Sequence, residues 1–390
     1  MESKATQRHI RCTVTTWNDC DIVADSNMGT ITVAYGDQPH LRYLKDLLRT
    51  GMTLNLLDTA VVPAHSCADA LTVSPRLIVV EPDFLMEPSL IAACFAKPGQ
   101  HPLSYTIGRM QPRPNTQAIL LGNLAGTVLD DLINAPCYQQ SSPQQRPSIP
   151  PPLSHSIRRS FREQALQFCA CTPFSPKQFT ADARLQAGNL LDVTQQLFSP
   201  GAYDRSRAVL EPSFVCPLLG LQGRVDLMTT DMRLIVEQKA GRNMRIEREA
   251  AVVHRDDHYV QLLLYYGILK YNFNLPEDHA DISLLYSKYP AAQGLLHVGF
   301  NAPLFHAAMR MRNLLVAWEY YMAREGFSQV MPYLAAEGLL TDNTPLERDY
   351  FTTMMTFVYR EQLYAKTGGG VVGNHAASDL WTLSIEEKLS

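Results

Sequence analysis

No apolar run among the 390 residues approaches the roughly 20 needed to cross a bilayer. The opening MESKATQRHI has no apolar signal-peptide core. A soluble, cytoplasmic protein with no membrane partner is the expectation. The eight cysteines, at positions 12, 20, 67, 94, 137, 169, 171 and 216, contain no CxxC pair, which favours reduced, packed thiols over a disulfide or zinc framework. Cys169 and Cys171, the nearest pair, point to different faces of a predicted helix. Basic charge is not in excess either: 34 Lys and Arg against 38 Asp and Glu leave a net charge of −4, so any contact with a polyanion must be local. There is no GxxxxGK[ST] phosphate loop, and the glycine cluster from Lys366 to Gly373 has its lysine ahead of the glycines. No internal repeat is visible.

What is present is an ordinary globular composition, 46% apolar and 18% charged, with room for two or three domains. Residues 12 to about 80 alternate short apolar runs with Asp, Asn and Gly turns and read as a β-rich unit, so the N-terminal domain is placed at 1–80. From Glu81 helix and strand mix, with helices predicted at Ser89 to Ala96 and Leu120 to Ile133. Six prolines in the seventeen residues 136–152 mark a surface insertion. Helices at Ser156 to Cys171 and Ala181 to Phe198 follow, then a hairpin within GLQGRVDLMTTDMRLIVEQKAG, a helix from His258 to Phe273 and a strand from Asp281 to Tyr286. Residues 81–300 form the predicted catalytic domain, and 301–390 a helical region with helices at Pro303 to Glu325 and Pro345 to Lys366. Thr344, Pro345 and Glu347 sit at the N-cap, N1 and N3 positions of a capping box.

The hairpin carries the chemistry. Strand residues alternate faces, so Glu237 and Lys239 project to one side while the Gln238 side chain points away. With the turn centred on Thr230 and Asp231, Asp226 lies opposite Ile235, on the face of Glu237 and diagonal to it at roughly 7–8 Å. Two carboxylates and a lysine at one point suit a hard cation, Mg2+ or Mn2+, and phosphodiester hydrolysis. Lys239 is expected to face the charge of the transition state rather than act as a base. A same-face ion pair on a surface strand gives the same ExK spacing, but LIVEQKAG is too apolar for a solvated edge. On the next helix His258, Gln261 and Tyr265 share a face at i, i+3 and i+7. A buried Gln without a partner costs on the order of 1–3 kcal/mol, so the hairpin site or core backbone must meet it. Arg242, Arg245, Arg248 and Arg255, with Arg158, Arg159 and Arg162 upstream, are the local basic candidates. The interleaved Glu247, Glu249, Asp256 and Asp257 fit a solvated face as well as a phosphate groove.

GLQGRVD, VEQKAG and HYVQLLLYYG together resemble the RecB-like branch of the PD-(D/E)xK nucleases, in which a Gly-x-x-Asp strand, a Glu-x-Lys strand and a Gln-x-x-x-Tyr helix occur in this order. Gly223, Asp226, Glu237, Lys239, Gln261 and Tyr265 fill those positions. VVEPDFLMEPSLIAACF, GNLAGTVLDDLI and LLYSKYP extend the similarity, over about residues 78 to 320, to the nuclease part of flap-processing helicase-nucleases of DNA replication and repair. The resemblance implies a restriction-endonuclease-like, three-layer α/β core with a mixed sheet, a β-barrel before it and a helical region after it. It implies catalysis by Asp226, Glu237, Lys239, Gln261 and Tyr265, metal held by Asp226, Glu237, Gln238 and Asp130, and DNA, single-stranded or flap, as substrate, with Gln261 and Tyr265 meeting its phosphate or the lysine. Arg242, Arg245 and His258 are the further DNA-contact candidates read from the residues themselves. Asp130 stands where the family's GT-x-x-His motif has its His. The family's superfamily 1 helicase is expected in trans or in a lost C-terminal continuation. No iron-sulfur cluster is expected, because no cysteine follows Cys216. The rival of a different class is a catalytically silent nuclease fold used for DNA binding or assembly.

Overall fold

The computed structural model describes residues 9–62, 71–96, 102–112, 115–134, 153–242, 244–245, 252–253, 255–276, 278–368 and 376–389. The proline-rich insertion lies outside them. The chain folds into two compact units that interleave in sequence: Met1–Arg109, Val215–Gly223 and Ala302–Ser390 form the first, and Met110–Phe214 with Arg224–Asn301 the second. No described helix is long and apolar enough to cross a membrane.

The first unit holds β1 (Ile10–Trp17), β2 (Asp21–Ser26), β3 (Gly29–Ala34), β4 (Thr53–Leu57), β5 (Ala60–Val61), β6 (Leu71–Ser74) and β7 (Leu77–Val80). They form one mixed sheet in the order β5-β6-β3-β2-β1-β4-β7, with only β3 and β6 parallel. In β1 the alternating residues Ile10, Cys12 and Val14 are buried, and they meet Ile22, Ala24, Ile31, Val33, Leu54 and Leu56 in one core. A register shift between Val14 and Thr16 adds the bend that curls the sheet. At its β7 edge, Asn313 of the Ala302–Arg324 helix stands in for a further strand: its amide donates to Ile78 O at 2.7 Å and its carbonyl accepts from Val80 N at 3.0 Å. Beside it Arg312, wholly buried, donates to the carbonyls of Glu81 and Phe84 at 2.9 and 3.0 Å. The Pro345–Thr367 helix completes the helical region, and both bonds of its Thr344–Glu347 capping box are made. A helix at Pro102–Met110 has no counterpart in the sequence reading.

Further strands are β8 (Ala208–Leu210), β9 (Ser213–Cys216), β10 (Leu221–Arg224), β11 (Leu227–Thr229), β12 (Leu234–Lys239), β13 (Met244–Arg245), β14 (Val252–Val253), β15 (Asp281–Tyr286) and β16 (Leu295–Val298). The sheet of the second unit runs β16-β15-β12-β11-β8. Its central pair β12 and β15 is parallel because the Asp256–Phe273 helix carries the chain across between them; the other pairs are antiparallel. Leu234 and Val236 of β12 face a core shared with Leu120, Leu124 and Val128 of the Gln117–Asn134 helix and Leu190 and Val193 of the Pro176–Leu197 helix. The alternate residues Ile235 and Glu237 point to the other face, where the Asp256–Phe273 helix packs on β12 and β15. The result is the expected three-layer arrangement around a mixed sheet.

Three further details differ from the sequence reading. The hairpin register is shifted by two residues: Leu227 pairs with Val236 and Met228 with Ile235. The loop is longer than a two-residue turn because Asp231 accepts from Thr229 Oγ1 and Arg233 N, at 2.6 and 3.2 Å, while Met232 takes a left-handed φ of 58°. The helix predicted from Ser156 to Cys171 breaks at Gln164 into Leu153–Glu163 and Ala165–Cys169, which lets Phe168 stack on Phe161 at 3.9 Å between ring centroids. The next helix starts at Pro176 rather than Ala181, because Ser175 caps it by accepting from Gln178 N.

Candidate functional site

Every candidate site residue lies in the second unit. Continuing the observed register places Asp226 across from Glu237, directly rather than diagonally. The chain bends between β10 and β11 at Val225 and Asp226, which turns the Asp226 carboxylate to accept the Gln238 backbone N–H at 2.6 Å. Glu237 ends the buried run of β12 and is 3% exposed.

Lys239, two residues on and co-facial, places Nζ 2.7 Å from Glu237 Oε1. The Asp256–Phe273 helix supplies Gln261, whose carbonyl accepts from Lys239 Nζ at 2.9 Å while its amide donates to Glu237 Oε1 at 2.8 Å. The same amide lies 3.3 Å from the Tyr265 hydroxyl, one turn further along. The polar stripe on that helix thus meets the hairpin.

Burial, and then the charge of Asp226, push the Glu237 carboxyl up to about 8 against the pull of Lys239. Burial also raises Asp226, opposed by the Gln238 N–H and Lys239. The carboxyls of the buried Glu237 and the half-buried Asp226 are therefore held against each other at the cleft wall. Glu237 Oε2 is buried and has no hydrogen-bond partner among the described residues. An acceptor-only oxygen pair with one oxygen unmatched fits a hard divalent cation, which takes carboxylate oxygens.

Not every candidate is gathered there. Among the described residues no three Asp, Glu, His or Cys side chains group to hold a metal. Asp130 lines the same cleft as Asp226, about 860 Å3 in volume, but its oxygens accept from Arg159 at 2.5 Å and Asn134 at 2.6 Å. His258 bonds instead to the Tyr286 hydroxyl at 3.0 Å, and burial lowers its pKa to about 4, so the ring is neutral at physiological pH. Arg242 is exposed, just past β12; Arg245 lies in β13, and its side chain is outside the described set, as is Arg248. Arg255 is engaged by Asp257 at 2.7 Å.

Three cleft residues had no place in the predicted site. Arg159, grouped by sequence only with a basic stretch, grips Asp130, Asp131 and Glu163. Glu211 and Arg224 form an ion pair at 2.9 Å on the cleft wall. Arg224 precedes Asp226 by two, a spacing that hints at a shared face. Glu211 arrives only through β8 pairing with β11, and nothing local announces it.

No protein-family model and no curated protein matches the chain. Among solved structures, a candidate exonuclease from Eubacterium rectale is similar, with a TM-score of 0.35 and 12% identity over 60% of this chain and 82% of that one. At that level the likeness carries no functional weight.

Proposed function

We propose that the chain is a metal-dependent deoxyribonuclease that hydrolyses DNA phosphodiesters at Asp226, Glu237 and Lys239, in DNA replication or repair and alongside a superfamily 1 helicase. One observation carries the chemistry: Gln261 and Lys239 occupy one oxygen of the buried Glu237 and leave the other unmatched near the half-buried carboxylate of Asp226. The helicase partner rests on the motif resemblance alone.

Asp226 and Glu237 would hold Mg2+ or Mn2+, with Gln238 adjoining them. The ion supplies Lewis-acid polarisation of a phosphoryl oxygen and activation of a water. With an ion held there, Asp226 and Glu237 would both be ionised despite the burial and mutual repulsion that raise them. Lys239 presents an ammonium to the phosphoryl oxygens as negative charge accumulates on them. Gln261 fixes that ammonium and the Glu237 carboxylate together, and Tyr265 orients the Gln261 amide. His258, neutral and bonded to Tyr286, serves this reading as a shaped wall rather than as a cation.

The test is cleavage of labelled single-stranded, double-stranded and flap DNA with and without Mg2+ or Mn2+. Cleavage is expected only with the ion and not in Lys239→Ala. Metal-independent cleavage, or full activity in Lys239→Ala, would sink the reading. A silent nuclease fold that only binds DNA is favoured by one feature, the capture of Asp130 by Arg159. It predicts DNA binding with no cleavage under any of these conditions.

A further inference from the structure

A second cleft, of about 350 Å3, opens beside the first. Ala240, the residue after Lys239, lines both, and so does the Gln117–Asn134 helix: Gly122 to Asn134 border the first cleft, Gln117 to Leu121 the second. The second cleft holds two cations, Arg242 and Lys288, and one acid, Asp182. Neither cation makes a hydrogen bond or ion pair among the described residues, whereas Arg159 in the first cleft makes three ion pairs.

The floor beneath them is fixed. Ser287 N donates to Lys239 O at 3.0 Å, and Ser287 Oγ donates to Gln186 Oε1 at 2.7 Å. Asn189 Nδ2 donates to Ser287 O at 2.9 Å, and Gln186 Nε2 reaches Ala240 O at 3.4 Å. Gln186, Asn189 and Ser287 are all buried. These bonds tie the ends of β12 and β15 together and occupy the carbonyls of Lys239, Ala240 and Ser287. Above them the cleft presents its two cations, Arg242 and Lys288, to an anion.

Resting on the nuclease reading above, we propose that the sugar-phosphate backbone of a single DNA strand runs from the cleft at Lys239, over Ala240, into this second cleft, where Arg242 and Lys288 bind its phosphates. Three extended residues span at most about 11 Å, so Arg242 stands within that reach of Lys239. A strand carries a phosphate at least about every 3.4 Å, so the contacted phosphates lie within about three nucleotides of the scissile one. Ligand clefts of about 300–1,000 Å3 admit a drug-sized molecule. The second cleft is at the small end of that range, which suits one backbone and not a duplex.

The experiment is fluorescence anisotropy of a labelled single-stranded oligonucleotide and of its duplex, in EDTA so that nothing is cleaved, over a range of salt. Arg242→Glu/Lys288→Glu should weaken single-strand binding at least tenfold. Losing two phosphate contacts should lower the slope of log K against log salt by about 1.4 on a single strand. Arg242→Ala/Lys288→Ala should show the same direction if charge reversal disturbs folding, and Asp182→Asn should tighten binding. Unchanged affinity and slope in both double variants, or a loss confined to the duplex, would overturn the strand path. Absence of cleavage by the unmodified protein with these binding changes intact would instead count against the nuclease reading alone.

Discussion

Each unit has a deeply buried glutamate bonded to a cation, Glu319 in the first and Glu237 in the second, and the two are built differently. Glu319 of the first unit, 1% exposed, takes the Tyr105 hydroxyl at 2.5 Å and the Arg109 guanidinium on Oε1, and Arg109 reaches on to Gln362. No other carboxylate is among the groups that shift its pKa. Glu237 of the second unit is as buried, but its neighbour Asp226 repels it and its Oε2 is left without a partner. The first is a structural ion pair, closed on itself. The second sets two carboxyls against each other where burial raises both, the pattern expected of a site organised for something it binds.

The largest effect should separate them by activity. Asp226→Ala, Glu237→Ala or Lys239→Ala is expected to lower Mg2+-dependent cleavage at least about a hundredfold while circular dichroism stays that of the unmodified protein. Asp130→Ala should cost less, because Arg159 already engages that carboxylate. A Glu237→Ala protein with normal turnover would erase the distinction.

Stability should then separate them in the opposite sense. Glu319→Ala leaves the partly buried Arg109 without its carboxylate, a change expected to cost about 3 kcal/mol in urea unfolding. Glu237→Gln keeps the shape, relieves repulsion with Asp226 and should change stability by less than about 1 kcal/mol. Equal losses in the two variants would mean that Glu237 is structural as well.

His258 offers a pH-dependent check on the second unit. Burial holds its imidazole down to about 4, below its ordinary 6.5. A folded pKa below the unfolded one contributes stability that is present above about 6.5 and is lost as pH falls toward 4. An NMR titration of the ring should therefore show a neutral imidazole through pH 5. A midpoint above about 7 would leave the ring charged at neutral pH and overturn the account of His258 as a neutral wall.

Much of this was legible in the sequence, and for a physical reason. The co-facial pair Glu237 and Lys239, and the stripe of Gln261 and Tyr265, follow from the fixed periods of strand and helix, so GLQGRVD, VEQKAG and HYVQLLLYYG specify which side chains meet. The register did not follow, because it depends on Met232 adopting a left-handed φ stabilised by Asp231. The interleaving of Val215–Gly223 with the first unit was equally hidden, since long-range packing and not local pattern decides it. So was the grip of Arg159 on Asp130: basic and acidic helices read separately give no hint of which charges face one another.

The smallest predicted effect compares the two tyrosines. Tyr105→Phe removes a short hydroxyl bond to a buried carboxylate; a hydrogen bond to a charged group contributes about 1.5–3 kcal/mol, so unfolding should shift measurably. Tyr265→Phe removes a longer contact, 3.3 Å, to the Gln261 amide, which keeps its bond to Glu237. Its stability cost should be under about 1 kcal/mol. What it loosens is the orientation of Gln261, and with it the ammonium of Lys239, so turnover should fall several-fold while DNA binding in EDTA holds. The paired measurement of melting and turnover is what discriminates. If Tyr265→Phe destabilised the protein as much as Tyr105→Phe and left turnover intact, the Gln261 network would be a second closed ion-pair cluster like that of Glu319, and the contrast between the two glutamates would fail.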